Sequence, residues 1–259
     1  MNLKFTIIGA GNLATHLSAA LKMNGFHIVQ VYSRTESSAM QLAKKLNTSF
    51  TTSYQNITTD ADVYVVAIKD SVYSEVLSHI EFGNKLLVHC SGSQSLSVIE
   101  SYSENTGVLY PLQTFSKQRN VNFSEIPVFI EANSEKNEKT VLEVARKLSS
   151  SVSVLKSPQR IYLHIAAVFA CNFVNHFYSI AADVLESENI PFDVLKPLVL
   201  ETARKVQVMK PGEAQTGPAI RYDENVIGTH LKKLKGIKNY AELYNSISKS
   251  IFEAHQKNK

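Results

Sequence analysis

Residues 3–25 read LKFTIIGAGNLATHLSAALKMNG, and the fold follows from this stretch. Leu3 to Ile8 is a short apolar run suited to a buried strand. Asn12 to Met23 places Leu13, Leu17, Ala20 and Leu21 on one helical face, and Asn24-Gly25 stops the helix. Between them, Gly9-Ala10-Gly11-Asn12-Leu13-Ala14 spells G-x-G-x-x-A, an accepted form of the dinucleotide-binding turn. Gly9 permits the tight exit from the strand. Gly11 has no side chain to keep a diphosphate off the backbone. Ala14 lets the helix lie close on the sheet. The backbone N–H groups of Asn12 and Leu13, at the positive end of the helix, then face the phosphates. The turn lies between a strand and an amphipathic helix inside a β-α-β unit, the context that separates this motif from a plain glycine turn.

Outward from this unit, strand-like and helix-like segments alternate. His27 to Tyr32, Val63 to Ile68, Leu86 to His89, Val128 to Ile130 and Val152 to Leu155 read as strands. Ser37 to Leu46, Ser74 to Ile80 and Lys139 to Leu148 read as helices. Continuously apolar strands joined by helical crossovers predict an α/β fold with a doubly wound, mostly parallel (Rossmann) sheet covered on both faces. After Pro158 the pattern becomes all-helical. One long helix is expected from Ile161 to Glu188, a second over Phe192 to Met209, and two more over Asn225 to Leu234 and Tyr240 to His255. The expected division is a dinucleotide-binding domain over 1–156 and a helical substrate or dimerisation domain over 157–259.

Composition agrees with a globular protein. The chain has 259 residues, 44% hydrophobic and 19% charged, with a formal net charge of +4. The one basic run, Lys232-Lys233-Leu234-Lys235, reads as a solvated helix face, so no nucleic-acid partner is expected. Cys90 and Cys171 fit neither a metal spacing nor a CxxC motif, so two reduced thiols in a cytoplasmic protein and no metal are expected. No signal peptide is apparent. The longest apolar stretch, Ile161 to Ala182, is broken by His164, Asn172, Asn175 and His176, and reads as a buried helix rather than a membrane span.

The second strand ends Val31-Tyr32-Ser33-Arg34-Thr35. An NAD site carries Asp or Glu here for the ribose hydroxyls. This chain offers the Ser33 and Thr35 hydroxyls and the Arg34 guanidinium, which suit a 2′-phosphate, and NADP is the expected cofactor. Glu36 should point away, at the start of the next helix. The same lack of an acidic residue argues against S-adenosylmethionine.

Ligands of such sheets lie at the carboxyl ends of the strands. Ala67, Ile68 and Lys69 leave one strand there, with Asp70 or Ser71 able to cap a helix start. His89-Cys90-Ser91-Gly92-Ser93 leaves the next. Cys90 and Ser91 can approach a nicotinamide or a substrate carboxylate, while Cys90 as a nucleophile lacks a partner base. Tyr110 to Phe115 reads as a polar loop. In the long helix, His164, Cys171, Asn172 and Asn175 share one broad face by helical spacing. His164 could supply the proton that reduction of C=O or C=N requires, or be a core histidine. Arg221 could hold an anionic group or make a surface ion pair.

Together, Gly9 to Ala14, Ser33-Arg34-Thr35, His89 to Ser93, Pro111-Leu112-Gln113-Thr114-Phe115, Tyr162 to Ala167 with Asn172, and Thr216-Gly217-Pro218 resemble a bacterial family of NADP oxidoreductases. That family joins a Rossmann-like domain to a C-terminal helical domain of unknown function. More distantly the chain is similar to pyrroline-5-carboxylate reductase, 3-hydroxyisobutyrate dehydrogenase and the deazaflavin-dependent NADP oxidoreductases. The resemblance covers almost the whole chain and implies NADP and a homodimer built through the helical domain. The hydroxyacid dehydrogenases use a lysine with an asparagine a helical turn later. This chain has no lysine between Pro158 and Lys196, so His164 and Asn172 would take those positions. The expected activity is hydride transfer between NADPH and a small carbonyl or imine compound, with His164, Asn172 and Ser91 as catalytic candidates. The alternative is a non-catalytic NADP-binding sensor or partner module.

Overall fold

The computed structural model describes residues 2–256. The chain forms two compact units, one ending at Cys171 and the other beginning at Asn172.

The first unit is built on eight strands in the order β3-β2-β1-β4-β5-β6-β7-β8. They are β1 (Lys4–Ile8), β2 (His27–Tyr32), β3 (Ser49–Thr51), β4 (Val63–Val66), β5 (Leu86–His89), β6 (Asn105–Pro111), β7 (Val128–Ala132) and β8 (Val152–Val154). All neighbours are parallel except β6 and β7. The order 3-2-1-4-5-6 is the doubly wound arrangement, with its switch point between β1 and β4. Its helices are α1 (Asn12–Met23), α2 (Glu36–Leu46), α3 (Tyr73–Leu77), α4 (Glu135–Leu148) and α5 (Ser157–Ala167).

Strands β4 and β5 are buried at every residue, as a sheet covered on both faces requires. Successive side chains feed opposite layers. Val63 and Val65 pack with Phe5, Ile7, Leu17 and Leu21 on one face. Tyr64 and Val66 pack with Ile8, Leu77 and Leu87 on the other. This is the two-residue period of a strand acting on two cores at once.

Two strands escape the sequence reading. β3 is a three-residue edge strand with an apolar residue only at Phe50. β6 contains Gly107 and ends on Pro111, which masked it, and its last residues were expected in a loop. Gly107 has a packing reason, since a Cβ there would lie 2.9 Å from Val141 Cγ2 on α4. Pro111 is tolerated as the final residue of the strand.

The second unit is helical: α6 (Val174–Glu186), α7 (Lys196–Val208), α8 (Pro211–Ala214), α9 (Glu224–Leu234) and α10 (Tyr240–Gln256). The short α8 was expected as loop. Lys232 and Lys233 sit exposed in the last turn of α9, as a solvated face predicts.

The long helix departs from expectation in three ways. A six-residue π-helical stretch, Val168–Phe173, separates α5 from α6. A π-helical turn is wider than an α-turn, so the α-helical spacing used to put His164, Cys171, Asn172 and Asn175 on one face does not apply through this stretch. His164 is half-buried, whereas those three are exposed. Second, the compact units part between Cys171 and Asn172, beyond the expected boundary at 156, because α5 is tied to the sheet through Arg160. Third, the helix is not buried in the chain: Ile161, Tyr162 and Ile165 are 40%, 74% and 45% exposed. Over Ser157–Glu186 it is long and apolar enough to cross a membrane by length and composition, contrary to the sequence reading. Such a segment also serves as a packing face in soluble proteins.

Candidate functional site

The carboxyl ends of β1, β2, β4 and β5 open onto one cleft of about 830 Å³. At its base the glycine turn has the geometry the motif demands. Gly9 adopts φ +125°, and a Cβ there would lie 2.3 Å from the Ala67 carbonyl oxygen. No L-residue with a side chain fits. A Cβ on Gly11 would meet nothing within 4 Å. The space before the first turn of α1 is therefore open to a diphosphate, and the residues present fit the dinucleotide they imply. Ala14 is buried against the sheet as expected. Asn12 lines the cleft, but its side-chain amide donates to the Phe115 carbonyl oxygen at 2.9 Å. Its contribution at the cleft is the backbone N–H.

Ser33, Arg34 and Thr35 line the cleft beyond β2. Glu36 begins α2, is exposed, and is not among the lining residues. The end of the cleft beyond β2 therefore presents a guanidinium and hydroxyls. Ala67, Ile68 and Lys69 line it beyond β4, and Cys90 and Ser91 beyond β5. Cys90 is buried, and burial pushes its thiol up to about 12, so it stays protonated and is no nucleophile.

At the far end, the Tyr110 hydroxyl and His164 Nδ1 are hydrogen-bonded at 3.1 Å, their rings edge to face at 6.1 Å. Burial raises the Tyr110 pKa. Both residues line the cleft and close over Gly92. A Cβ at Gly92 would lie 2.6 Å from Tyr110 Cζ and 2.7 Å from His164 Nδ1. The glycine between two serines is what lets this pair form.

Asp70 organises the β5 loop. Its Oδ2 accepts from Ser91 Oγ at 2.9 Å, Ser93 Oγ at 2.5 Å and Gln94 Nε2 at 3.3 Å. Ser91 Oγ also accepts from the backbone N–H groups of Ser93 and Gln94. The Ser91 hydroxyl proton is thus committed to Asp70. Beneath the loop, His89 is fully buried, its Nδ1 accepting from the Ser91 N–H at 3.1 Å. Burial, aided by the nearby Arg160 guanidinium, holds its pKa down at about 4, so the ring is neutral at pH 7.

His164 is placed by a buried ion pair one turn earlier. Arg160 is fully buried and donates to Glu131 Oε2 on β7 at 2.5 Å, and to the Gln94 carbonyl oxygen at 2.7 Å. Burial would raise the Glu131 pKa, but hydrogen bonds from Ser157 and Arg160 outweigh it and leave it lowered. One guanidinium thereby locks α5 to the sheet and to the β5 loop.

The cleft unites the glycine turn, Ser33 to Thr35, Ala67 to Lys69, Cys90, Ser91 and His164. Asn172 opens the second unit, exposed, in the π-helical stretch. Arg221 is exposed in the second unit, at the end of a short 3₁₀ turn. Sequence reasoning brought the segments holding Asp70, Gly92 and Tyr110 to the strand ends but gave these three residues no role in the site, and it missed Lys117 altogether. Tyr110 and Asp70 stood in segments that were singled out, but their partners lie 54 and about 21 residues away and only folding joins them.

Comparison with known proteins agrees with this geometry. Residues 4–92 match the model of the NADP oxidoreductase, coenzyme F420-dependent family, and residues 126–251 match a domain of unknown function, DUF2520. No functionally curated protein matches the chain. A structure from Bacteroides fragilis, assigned as an NADP oxidoreductase, is 49% identical, covers 97% of this chain and 98% of its own, and superposes with a TM-score of 0.93. A Thermotoga maritima protein is 22% identical over 97% of this chain and 99% of its own, with a TM-score of 0.80. An imine reductase from Myxococcus stipitatus, in complex with NADP+, is 16% identical over 98% of this chain and 93% of its own, with a TM-score of 0.65. The last two show a shared fold. Given the identity to the Bacteroides fragilis protein along nearly its whole length, the chain belongs to the family of NADP oxidoreductases that join a Rossmann domain to a DUF2520 domain.

Proposed function

We propose that this NADP oxidoreductase reduces a small carbonyl or imine compound, with the Tyr110–His164 pair as its proton source. The observation that carries this reading is the 3.1 Å hydrogen bond between Tyr110 and His164, made in the same cleft as the glycine turn. Bound NADPH supplies a hydride; reduction of C=O or C=N also needs one proton on the oxygen or nitrogen. His164 delivers that proton, and the Tyr110 hydroxyl orients the imidazole through Nδ1. Ser91 and Ser93 aim the Asp70 carboxylate rather than donate to substrate. The Asp70 carboxylate disfavours a substrate carboxylate at that spot. Asn172 has no role in this reading.

The test is NADPH oxidation across a panel of carbonyls and cyclic imines. With a substrate found, His164→Ala lowers kcat by about 10²–10⁴-fold, the usual worth of a general acid, while NADPH affinity is unchanged. A variant as fast as the native protein removes His164 from the chemistry. Tight NADPH binding with no turnover across the panel turns the reading to a non-catalytic sensor.

The protein is further read as a cytoplasmic homodimer. Both cysteines are free thiols. In the second unit, an apolar groove of about 630 Å³ runs between α6 and α10, lined by Ile180, Val184, Leu243 and Ile247. In α7, Leu198, Leu200 and Val208 are 62%, 50% and 81% exposed. A second copy of the chain is the occupant this reading assigns to these surfaces.

A further inference from the structure

We infer that Lys117 is a cofactor-binding residue, a cation that pairs with the diphosphate of NADP(H) from a segment pinned to the first turns of α1. The inference rests on the NADP assignment and extends it to a residue outside the glycine turn.

Lys117 belongs to the segment after β6, far in sequence from the turn, yet it lines the same cleft as Gly9, Gly11 and Asn12. Its position is built, not incidental. The Phe115 carbonyl oxygen accepts from Asn12 Nδ2 at 2.9 Å, and the Ser116 carbonyl oxygen meets His16 Nε2 at 3.0 Å. The Phe115 ring stacks on His16 at 5.3 Å and on Phe123 at 6.2 Å. Two consecutive residues are therefore pinned to the first turns of α1, and the next residue is the lysine.

Its charge is also available. Among the described residues no carboxylate lies within ion-pair distance of Lys117, whereas Lys4, Lys156, Lys196 and Lys238 each have one. From a segment tied to the start of α1, the exposed lysine can add a full positive charge to the partial charge of the dipole. The combination suits a dianionic diphosphate. Arg34, by contrast, follows β2, where the 2′-phosphate of the ribose is expected. In this reading Arg34 serves the 2′-phosphate and Lys117 the diphosphate, while Lys69 lines the cleft beyond β4.

The experiment is calorimetric titration of the full-length native protein, Lys117→Met and Arg34→Ala with NADPH and with NADH at low ionic strength. Lys117→Met is expected to weaken both cofactors by a similar factor of about ten, the worth of one charge-assisted hydrogen bond. Arg34→Ala should weaken NADPH alone. Lys117→Met should also flatten the dependence of NADPH affinity on salt, and leave the Tm of the unliganded protein unchanged. Unchanged affinities in Lys117→Met, or a loss confined to NADPH, overturn the inference while the NADP assignment stands. A native protein that binds neither cofactor overturns both.

Discussion

The two units differ in where they keep their apolar side chains. In the first, both faces of the sheet are sealed, and Phe5, Ile7, Leu21, Leu87 and Leu109 are nearly inaccessible. In the second, the buried apolar residues among those described are Ala219, Ile227 and Tyr240, while Leu198, Leu200 and Val208 lie open. A parallel sheet with helices on both faces completes its own core. A few helices with apolar faces turned outward do not. The contrast teaches that the first unit completes its own apolar core, whereas the second leaves large apolar side chains exposed, the surfaces that the homodimer proposed above would cover.

The most forceful way to break this contrast is to damage the first unit's polar anchor. Arg160→Ala leaves Glu131 buried and unpaired, and should cost about 3–5 kcal/mol in urea unfolding. It should also lower turnover more than NADPH affinity, because α5 and His164 lose their tie to the β5 loop. Unfolding no easier than native would show that the guanidinium contributes nothing net.

A somewhat smaller effect comes from His89. Burial holds its pKa down at about 4, against about 6.5 for a free imidazole. The folded state therefore resists a proton that the unfolded chain accepts. Stability is fully present above pH 6.5, and falls with pH between 6.5 and 4, by about 3 kcal/mol at 1.36 kcal/mol per unit. His89→Gln should flatten that slope in denaturation measured across the interval. An unaltered slope would assign the acid sensitivity to other groups.

The mildest effect sharpens the comparison from the other side. If a second copy covers the helical unit, the native Tm rises with protein concentration, by the equivalent of about 1.4 kcal/mol per tenfold. Leu198→Asp should remove that rise and yield monomers in sedimentation, while NADPH binding by the first unit persists. Dimers that survive the substitution would place the interface elsewhere.

How much was legible follows from the range of each signal. The glycine turn, its strand and its helix lie within one short stretch, and local sterics dictate all three. Ser33 to Thr35 were legible for the same reason: they follow β2 directly, and the sign of their charge is a property of the sequence. β6 was hidden because Gly107 and Pro111 weaken a strand signal, and only the approach of α4 explains the glycine. The long helix was legible as a helix, but its burial was misjudged. Apolar periodicity reports which face avoids water, not whether the covering surface lies in the same chain.

By itself, the sequence determined the doubly wound sheet, the diphosphate turn and the preference for NADP, because each depends on residues that are neighbours along the chain. Only the tertiary structure decided that Tyr110 meets His164 over Gly92, that Asp70 claims the Ser91 hydroxyl, and that Arg160 locks α5 to the sheet. Those contacts join residues tens of positions apart. Their geometry is set by sheet order and helix packing, which pattern and propensity along the chain do not encode.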